Sequence, residues 1–290
     1  MILAVASGKG GTGKTMVSDS LASVWQHPVL AVDLDVEEPN LGLFLRPEPV
    51  RDEAACLEVP VLDPARCNLC GACAQLCQFK AISLMGAQLL VFPDMCHGCG
   101  GCMRVCPQGA IQKGQRVLGR VETGLTASGI RCLTGRLRIG EAMSPPLIAK
   151  VRQHLRAMAD EAALDVIIDA PPGVSCQAMM AVQDVNVILL VTEPTPFGLH
   201  DLRLAWQAFR SLGKPMTVVI NRAGLGDEGV QSFCREMGLQ VLMEIPFRRE
   251  IAEHYARGGV LAEFDEEMRD LFTGLARKIA AMAGAGGHHA

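Results

Sequence analysis

Residues 2–15 read ILAVASGKGGTGKT, a short apolar run, a glycine-rich loop and a Lys-Thr pair that opens a helical pattern. This succession limits the fold more than any other stretch. A continuous run of small and branched apolar residues suits a strand buried on both faces. Residues 8–15 fit G-x-x-x-x-G-K-S/T, in which glycines let backbone N–H groups converge on phosphates at a helix N-terminus. In that pattern Gly8, Lys9, Gly10, Gly11, Thr12 and Gly13 form the loop, with Met16 just behind it. Lys14 reaches the β- and γ-phosphates and Thr15 offers its hydroxyl to Mg²⁺. Gly8, Gly10, Gly13 and the later Asp33 also satisfy a dinucleotide-binding pattern. The Lys-Thr pair, which that pattern does not require, and the further carboxylates Asp35 and Asp169 favour a triphosphate site with a Mg²⁺-organising acid.

The rest of the chain alternates in the same way. Apolar runs at 2–6, 29–32, 166–168, 185–191, 217–220 and 240–245 read as strands. Helical patterns at 15–25, 146–161, 198–212, 228–237 and 249–256 lie between or beside them. The alternation predicts an α/β fold, a doubly wound and mostly parallel sheet. At 290 residues there is chain enough for one large or two smaller domains, each with a real core. The net charge of −4 gives no general attraction to nucleic acid or anionic lipid. No run has the length of a membrane span, and the N-terminus lacks a basic region followed by a long apolar stretch, so a cytoplasmic protein is expected. An amphipathic pattern at 264–282 is expected to dock on the domain, with acids at its start and GAGGHHA at its end.

One region departs from this rhythm. CNLCGACAQLCQFKAI at 67–82 and CHGCGGCMRVCPQGAI at 96–111 align from end to end, so 63–113 is expected to fold as a separate module with pseudo-twofold symmetry, inserted in a domain formed by 1–62 and 114–290. Eight of the twelve cysteines fall in these two runs, which favours metal binding in a reducing compartment over disulfides. Structural zinc takes pairs of C-x2-C, whereas the C-x2-C-x2-C-x3-C spacing found in both runs matches the bacterial ferredoxin run. In two-cluster ferredoxins the fourth cysteine of each run serves the other cluster. Two 4Fe–4S clusters are therefore expected, one on Cys67, Cys70, Cys73 and Cys106 and one on Cys96, Cys99, Cys102 and Cys77. The closing proline is present at Pro107 but replaced by Gln78 in the first run. Cys56, Cys132, Cys176 and Cys234 read as packing residues.

With lysines at both 9 and 14, GKGGTGKT resembles the deviant Walker A loop of the MinD/ParA/Mrp family of P-loop ATPases. VDLDVEEPNL at 32–41 and DAPPG at 169–173 look like that family's two switch segments, and TEPTPFGLHDL at 192–202 like its post-strand segment. INRAG at 220–224 and IPFRREIAEHYARG at 245–258 look like its base-side segments. The resemblance implies ATP or ADP with Mg²⁺ as ligands, Thr15, Asp33 and Asp169 at the metal, and Asn221, Arg222, Pro246 and Phe247 about the base. It also implies that Asp35 positions the attacking water and that Lys9 crosses to the nucleotide of a second chain, either a copy or a paralogue. Within the family, the chain is similar to MinD-type ATPases with an inserted two-cluster ferredoxin domain. The function so implied is a dimeric ATPase switch that gates electron transfer to a redox protein. An iron–sulfur assembly or carrier ATPase is a second reading, and a ParA- or MinD-like positioning ATPase with redox-sensing clusters a third.

Overall fold

In the computed structural model, which describes residues 1–285, the chain divides into two compact units. The first comprises 1–52, 121–136 and the chain from 148 onward; the second comprises 53–120 and 137–147. The expected insert, 63–113, lies within the second.

The elements run β1 (Ile2–Ala6), α1 (Lys14–Val24), β2 (Val29–Asp33), α2 (Leu41–Leu45), β3 (Glu48–Leu62), α3 (Ala72–Leu76), β4 (Ile82–Met85), β5 (Gln88–Val91), α4 (Gly101–Val105), β6 (Ile111–Leu125) and β7 (Arg131–Leu137). They continue with α5 (Pro145–Ala162), β8 (Asp165–Asp169), α6 (Cys176–Val182), β9 (Val187–Thr192), α7 (Pro196–Phe209), β10 (Met216–Ala223), α8 (Gly229–Met237), β11 (Gln240–Pro246), α9 (Arg249–Ala256) and α10 (Glu266–Ala285).

In the first unit the strand order is β11-β10-β9-β1-β8-β2-β7, and every neighbouring pair in that run is parallel. β1 sits between β8 and β9, so its C-terminal end opens the glycine loop at the centre of the sheet edge, where ligands bind in open α/β sheets. All of Leu3–Ala6 is fully buried, as a strand covered on both faces requires. Leu3 and Val5 share a core with Val17 and Leu21 of α1 and with Met268, Phe272, Leu275 and Ile279 of α10. The C-terminal amphipathic pattern therefore does seat its apolar face on the domain. The end of the GAGGHHA tail lies outside the described residues.

The predicted strands and helices of this unit match within a few residues. The long strands β3 and β6, and β7 beside them, do not figure in the expected pattern. Residues 114–140 read as a glycine-rich connection, yet Gly114, Gly124 and Gly135 are strand residues packed against neighbours. A Cβ on Gly135 would stand 2.6 Å from Val36 and 2.7 Å from Val151, so glycine here serves close packing, not a turn.

The second unit holds the two cysteine runs, and its backbone repeats. Left-handed residues Leu69, Gly71 and Lys80 recur as Gly98, Gly100 and Gly109, at the same offset that carries Cys67 to Cys96. Each run enters its short helix from a left-handed glycine, Gly71 before α3 and Gly100 before α4. The copies also trade equivalent hydrogen bonds. The Asp63 N–H donates to the Ala110 carbonyl and the Phe92 N–H to the Ala81 carbonyl, both at 2.8 Å. Each bond maps onto the other when the two copies are exchanged, which is pseudo-twofold symmetry seen in the backbone.

Phe272 is fully buried at the centre of the α1–α10 seam. Phe272→Ala is expected to lower unfolding stability by about 3–5 kcal/mol, read as a shift of the denaturant midpoint at constant m-value.

Candidate functional site

The first unit carries a cleft of about 470 Å³ at the C-terminal ends of its central strands. Gly10, Gly11, Gly13, Lys14, Thr15 and Met16 form its floor, Asp35, Glu38 and Asn40 one wall, and Asn221, Arg222, Pro246, Phe247, Ile251 and Tyr255 the other. The loop's shape explains its glycines. Gly11 and Gly13 have φ of +79° and +93°, which side chains adopt only under strain. A Cβ on Gly8 would fall 2.0 Å from the backbone carbonyl oxygen of Asp201 in α7. A Cβ on Gly10 or Gly11 would meet nothing within 4 Å, so these two face open space.

Asp169, at the end of β8, is the hub of the floor. Its Oδ1 accepts hydrogen bonds from the Lys14 ammonium at 3.0 Å and the Ser18 hydroxyl at 3.0 Å, and its Oδ2 from the Thr15 hydroxyl at 2.6 Å. Its backbone carbonyl accepts from the Leu34 N–H, tying β8 to the segment after β2. Burial by itself pushes the Lys14 pKa down, but the charge of Asp169 and the hydrogen bond to it prevail, and the net shift is upward. A buried ion pair is tolerable only when its remaining lone pairs are satisfied, which Thr15 and Ser18 accomplish here.

Asp33 and Asp35 stand behind and beside this pair. Asp33 is fully buried, with its Oδ1 accepting from the Asp35 N–H and its Oδ2 from the Leu41 N–H. Burial, reinforced by the Asp169 charge, raises its pKa to about 8. Asp35 lines the cleft, and burial lifts its pKa to about 6 against the opposing pull of Lys14. Three carboxylates thus share one ammonium.

Lys9 is elsewhere. Its ammonium pairs with Glu193 Oε1 at 2.5 Å, and Glu193 Oε2 pairs with Arg222 at 2.8 Å. Arg222 adopts the left-handed conformation and hydrogen-bonds the Gly11 carbonyl at 3.5 Å. Asn221 donates to the Thr12 carbonyl at 2.8 Å and crowds the space a Cβ on Gly13 would need. The Thr12 hydroxyl is buried and has no hydrogen-bond partner among the described residues. Two further residues join the site. Ser18 lies one helical turn from Lys14, a spacing that puts both on one face, and the only hint of Glu193 is a carboxylate directly after a buried strand.

The second unit brings the eight run cysteines into two small hollows. Cys67, Cys70, Cys73 and Cys106 line one, and Cys77, Cys96, Cys99 and Cys102 the other. The fourth cysteine of each run therefore lies with the first three of the other. Among the described residues, no three His, Cys, Asp or Glu side chains form a group able to hold a single metal ion. The Ala110 N–H donates to Cys106 Sγ at 3.2 Å and the Gly98 N–H to Cys96 Sγ at 3.3 Å. Burial pushes the Cys73 and Cys102 thiols up, while backbone N–H groups of 108–111 outweigh burial and pull Cys106 down. Of the other cysteines, Cys132 and Cys234 are buried as expected, but Cys176 is exposed at the start of α6 and is not a packing residue.

Residues 3–261 match a family model described as the CobQ/CobB/MinD/ParA nucleotide binding domain. An uncharacterized protein of Methanocaldococcus jannaschii, MJ0578, is 28% identical over 285 residues, or 96% of each chain. The cell division ATPase MinD of Pyrococcus furiosus superposes with a TM-score of 0.56 at 21% identity, over 97% of this chain and 98% of that one. The septum site-determining protein MinD of Pyrococcus horikoshii, solved with Mg-ADP, gives a TM-score of 0.57 at 19% identity, over 98% and 97% of the two chains. What these two structures share with the chain is the fold. No helix among the described residues is long and apolar enough to cross a membrane.

The glycine geometry separates two substitutions. Gly8→Ala is expected to destabilise the fold by about 1–3 kcal/mol, because the clash is with backbone that cannot swing aside. Gly10→Ala is expected to stay within about 0.5 kcal/mol of the parent. Thermal unfolding of the two variants side by side checks both.

Proposed function

Because this chain belongs to the CobQ/CobB/MinD/ParA nucleotide-binding domain family, we propose that it is an ATP-hydrolysing switch that pairs with a second chain, a copy or a paralogue, and gates electron transfer from two 4Fe–4S clusters to a redox protein. The observation that carries this reading is the crossed grouping of cysteines. Each hollow collects three cysteines of one run and the last of the other, the pattern of two-cluster ferredoxins. That grouping sits in the same chain as a complete phosphate loop.

The donor chemistry supports both ligand classes. Around Lys14, the three carboxylates Asp33, Asp35 and Asp169 and the Thr15 hydroxyl supply hard oxygen donors with surplus negative charge, which suits Mg²⁺. Thr15 and Asp169 would hold the ion, with Asp33 behind them. Lys14 holds the β- and γ-phosphates, the open faces of Gly10 and Gly11 leave room for them, and Asp35 orients the attacking water. Asn221, Arg222, Pro246 and Phe247 flank the base. In each hollow four thiolates form the soft donor set that iron–sulfur clusters take, and a bound cluster supplies one-electron transfer.

Lys9 supplies its charge to the nucleotide of the second chain, as an arginine finger does. To reach it, Lys9 must leave Glu193, so pairing of chains and release of this ion pair are one event.

Anaerobic reconstitution is expected to give about eight irons per chain, and about four when Cys67, Cys70, Cys73 and Cys106 are all changed to Ala. Stoichiometric zinc in place of iron and sulfide would overturn the cluster reading. Lys9→Ala is expected to slow ATP turnover by about 10³-fold while nucleotide affinity of the single chain stays within about threefold. Cluster potentials that are the same with ATP, with ADP and without nucleotide would sink the gating.

A further inference from the structure

The internal repeat permits a position-by-position comparison of the two cysteine hollows, and they are not equivalent. Asn68 and Gln108 line the hollow of Cys67, Cys70, Cys73 and Cys106. Their counterparts at the other hollow are His97 and Phe79, whose rings stack with centroids 3.5 Å apart and planes 8° apart. A larger difference lies behind Cys96. Arg116, on β6, has Ala87 as its counterpart in the first copy. One hollow thus has a buried cation where its twin has an apolar residue, while the twin's own neighbouring cation, Arg66 beside Gly109, is exposed.

The cation is buried and held. Arg116 is only 9% exposed, and its Nη1 pairs with Glu141, whose side chain is only 2% exposed. Nη2 donates to the Cys96 carbonyl at 3.5 Å, and Nε has no hydrogen-bond partner among the described residues. Asp94, two residues before Cys96, lies 3.7 Å from Arg116 and from Arg138, and Arg138 lies 3.6 Å from Glu141. Such an arrangement fixes the loop that presents Cys96. It also sets an opposed pair of charges close to one hollow where solvent and salt screen them poorly.

We propose that Arg116 is a positioning and tuning residue for the Cys77, Cys96, Cys99 and Cys102 site. Its guanidinium favours the one-electron-reduced, more negative state there, which raises that site's potential and makes the two couples unequal. Net charge close to a cluster is one of the factors that set its potential. The inference rests on the iron–sulfur reading, and the two fail differently. Protein that takes up no iron and sulfide refutes both. Protein with about eight irons that answers the substitutions wrongly refutes only this one.

The test is a redox titration of the intact, anaerobically reconstituted protein, followed by electron paramagnetic resonance. The variant that keeps only Cys77, Cys96, Cys99 and Cys102 identifies which couple belongs to that site. Arg116→Gln is expected to lower this couple and Glu141→Gln to raise it, while Arg116→Lys stays near the parent and the other couple does not move. A purely structural role predicts that Arg116→Gln and Glu141→Gln disturb the loop alike. Shifts of the same sign, shifts shared by both couples, or no shift in either variant would refute the proposal. If Arg116→Gln does not fold, the decision falls to the remaining pair. A raised couple in Glu141→Gln with an unmoved Arg116→Lys supports the proposal, and any other result overturns it.

Discussion

The carboxylate of Asp169 is the constraint on which the nucleotide cleft depends. Through its side chain it gathers Lys14, Thr15 and Ser18 from the first turns of α1, and through its carbonyl it holds the segment after β2. Strand β8 lies between β1 and β2, so one residue connects the loop, the helix it opens and the next strand end. Removing one member of such a pair strands a buried charge, at a cost of about 3–5 kcal/mol. Floor and fold are thus not separable: the same interactions that shape the cleft hold the sheet edge together.

Around that floor, charge is distributed unevenly. On one side three carboxylates face a single ammonium, and burial raises the pKa of Asp33 to about 8 and that of Asp35 to about 6. On the other side the balance reverses, and Lys9 and Arg222 share Glu193. A phosphate chain with its cation, laid between them, would complement both imbalances. The cleft's electrostatics therefore match a ligand that carries both signs of charge, as a metal-bound polyphosphate does.

Most of the first unit is legible in the sequence because buried parallel strands leave uninterrupted apolar runs. Ile2–Ala6 and Val187–Thr192 are such runs, and a helix such as Arg249–Ala256 shows its own period. Strands β3 and β6 are not legible in that way. Glu48–Val50 and Gln112–Lys113 are exposed, Pro49 and Pro60 interrupt one strand, and Gly114, Gly119 and Gly124 interrupt the other. Half-exposed strands with such residues resemble connections when read by composition alone. At the site, the loop residues and Asp169 follow from pattern. The partnership of Lys9 with Glu193 depends on β1 lying beside β9, which only the topology decides.

The exchanged hydrogen bonds of the second unit have a consequence for how it comes into being. Asp63 closes onto Ala110 across nearly the whole module, whereas Phe92 closes onto Ala81 across one hairpin. The local closure costs little chain entropy and the distant one more, so the hairpin is the natural nucleus and the outer closure the late step. Only the hollow of Cys67, Cys70, Cys73 and Cys106 waits for that late step, because the hairpin already joins Cys77 to the run that carries Cys96, Cys99 and Cys102. In kinetic terms the module matures in order: a chain still emerging from synthesis has the full thiol set of one hollow once Cys102 has been made, and that of the other only with Cys106.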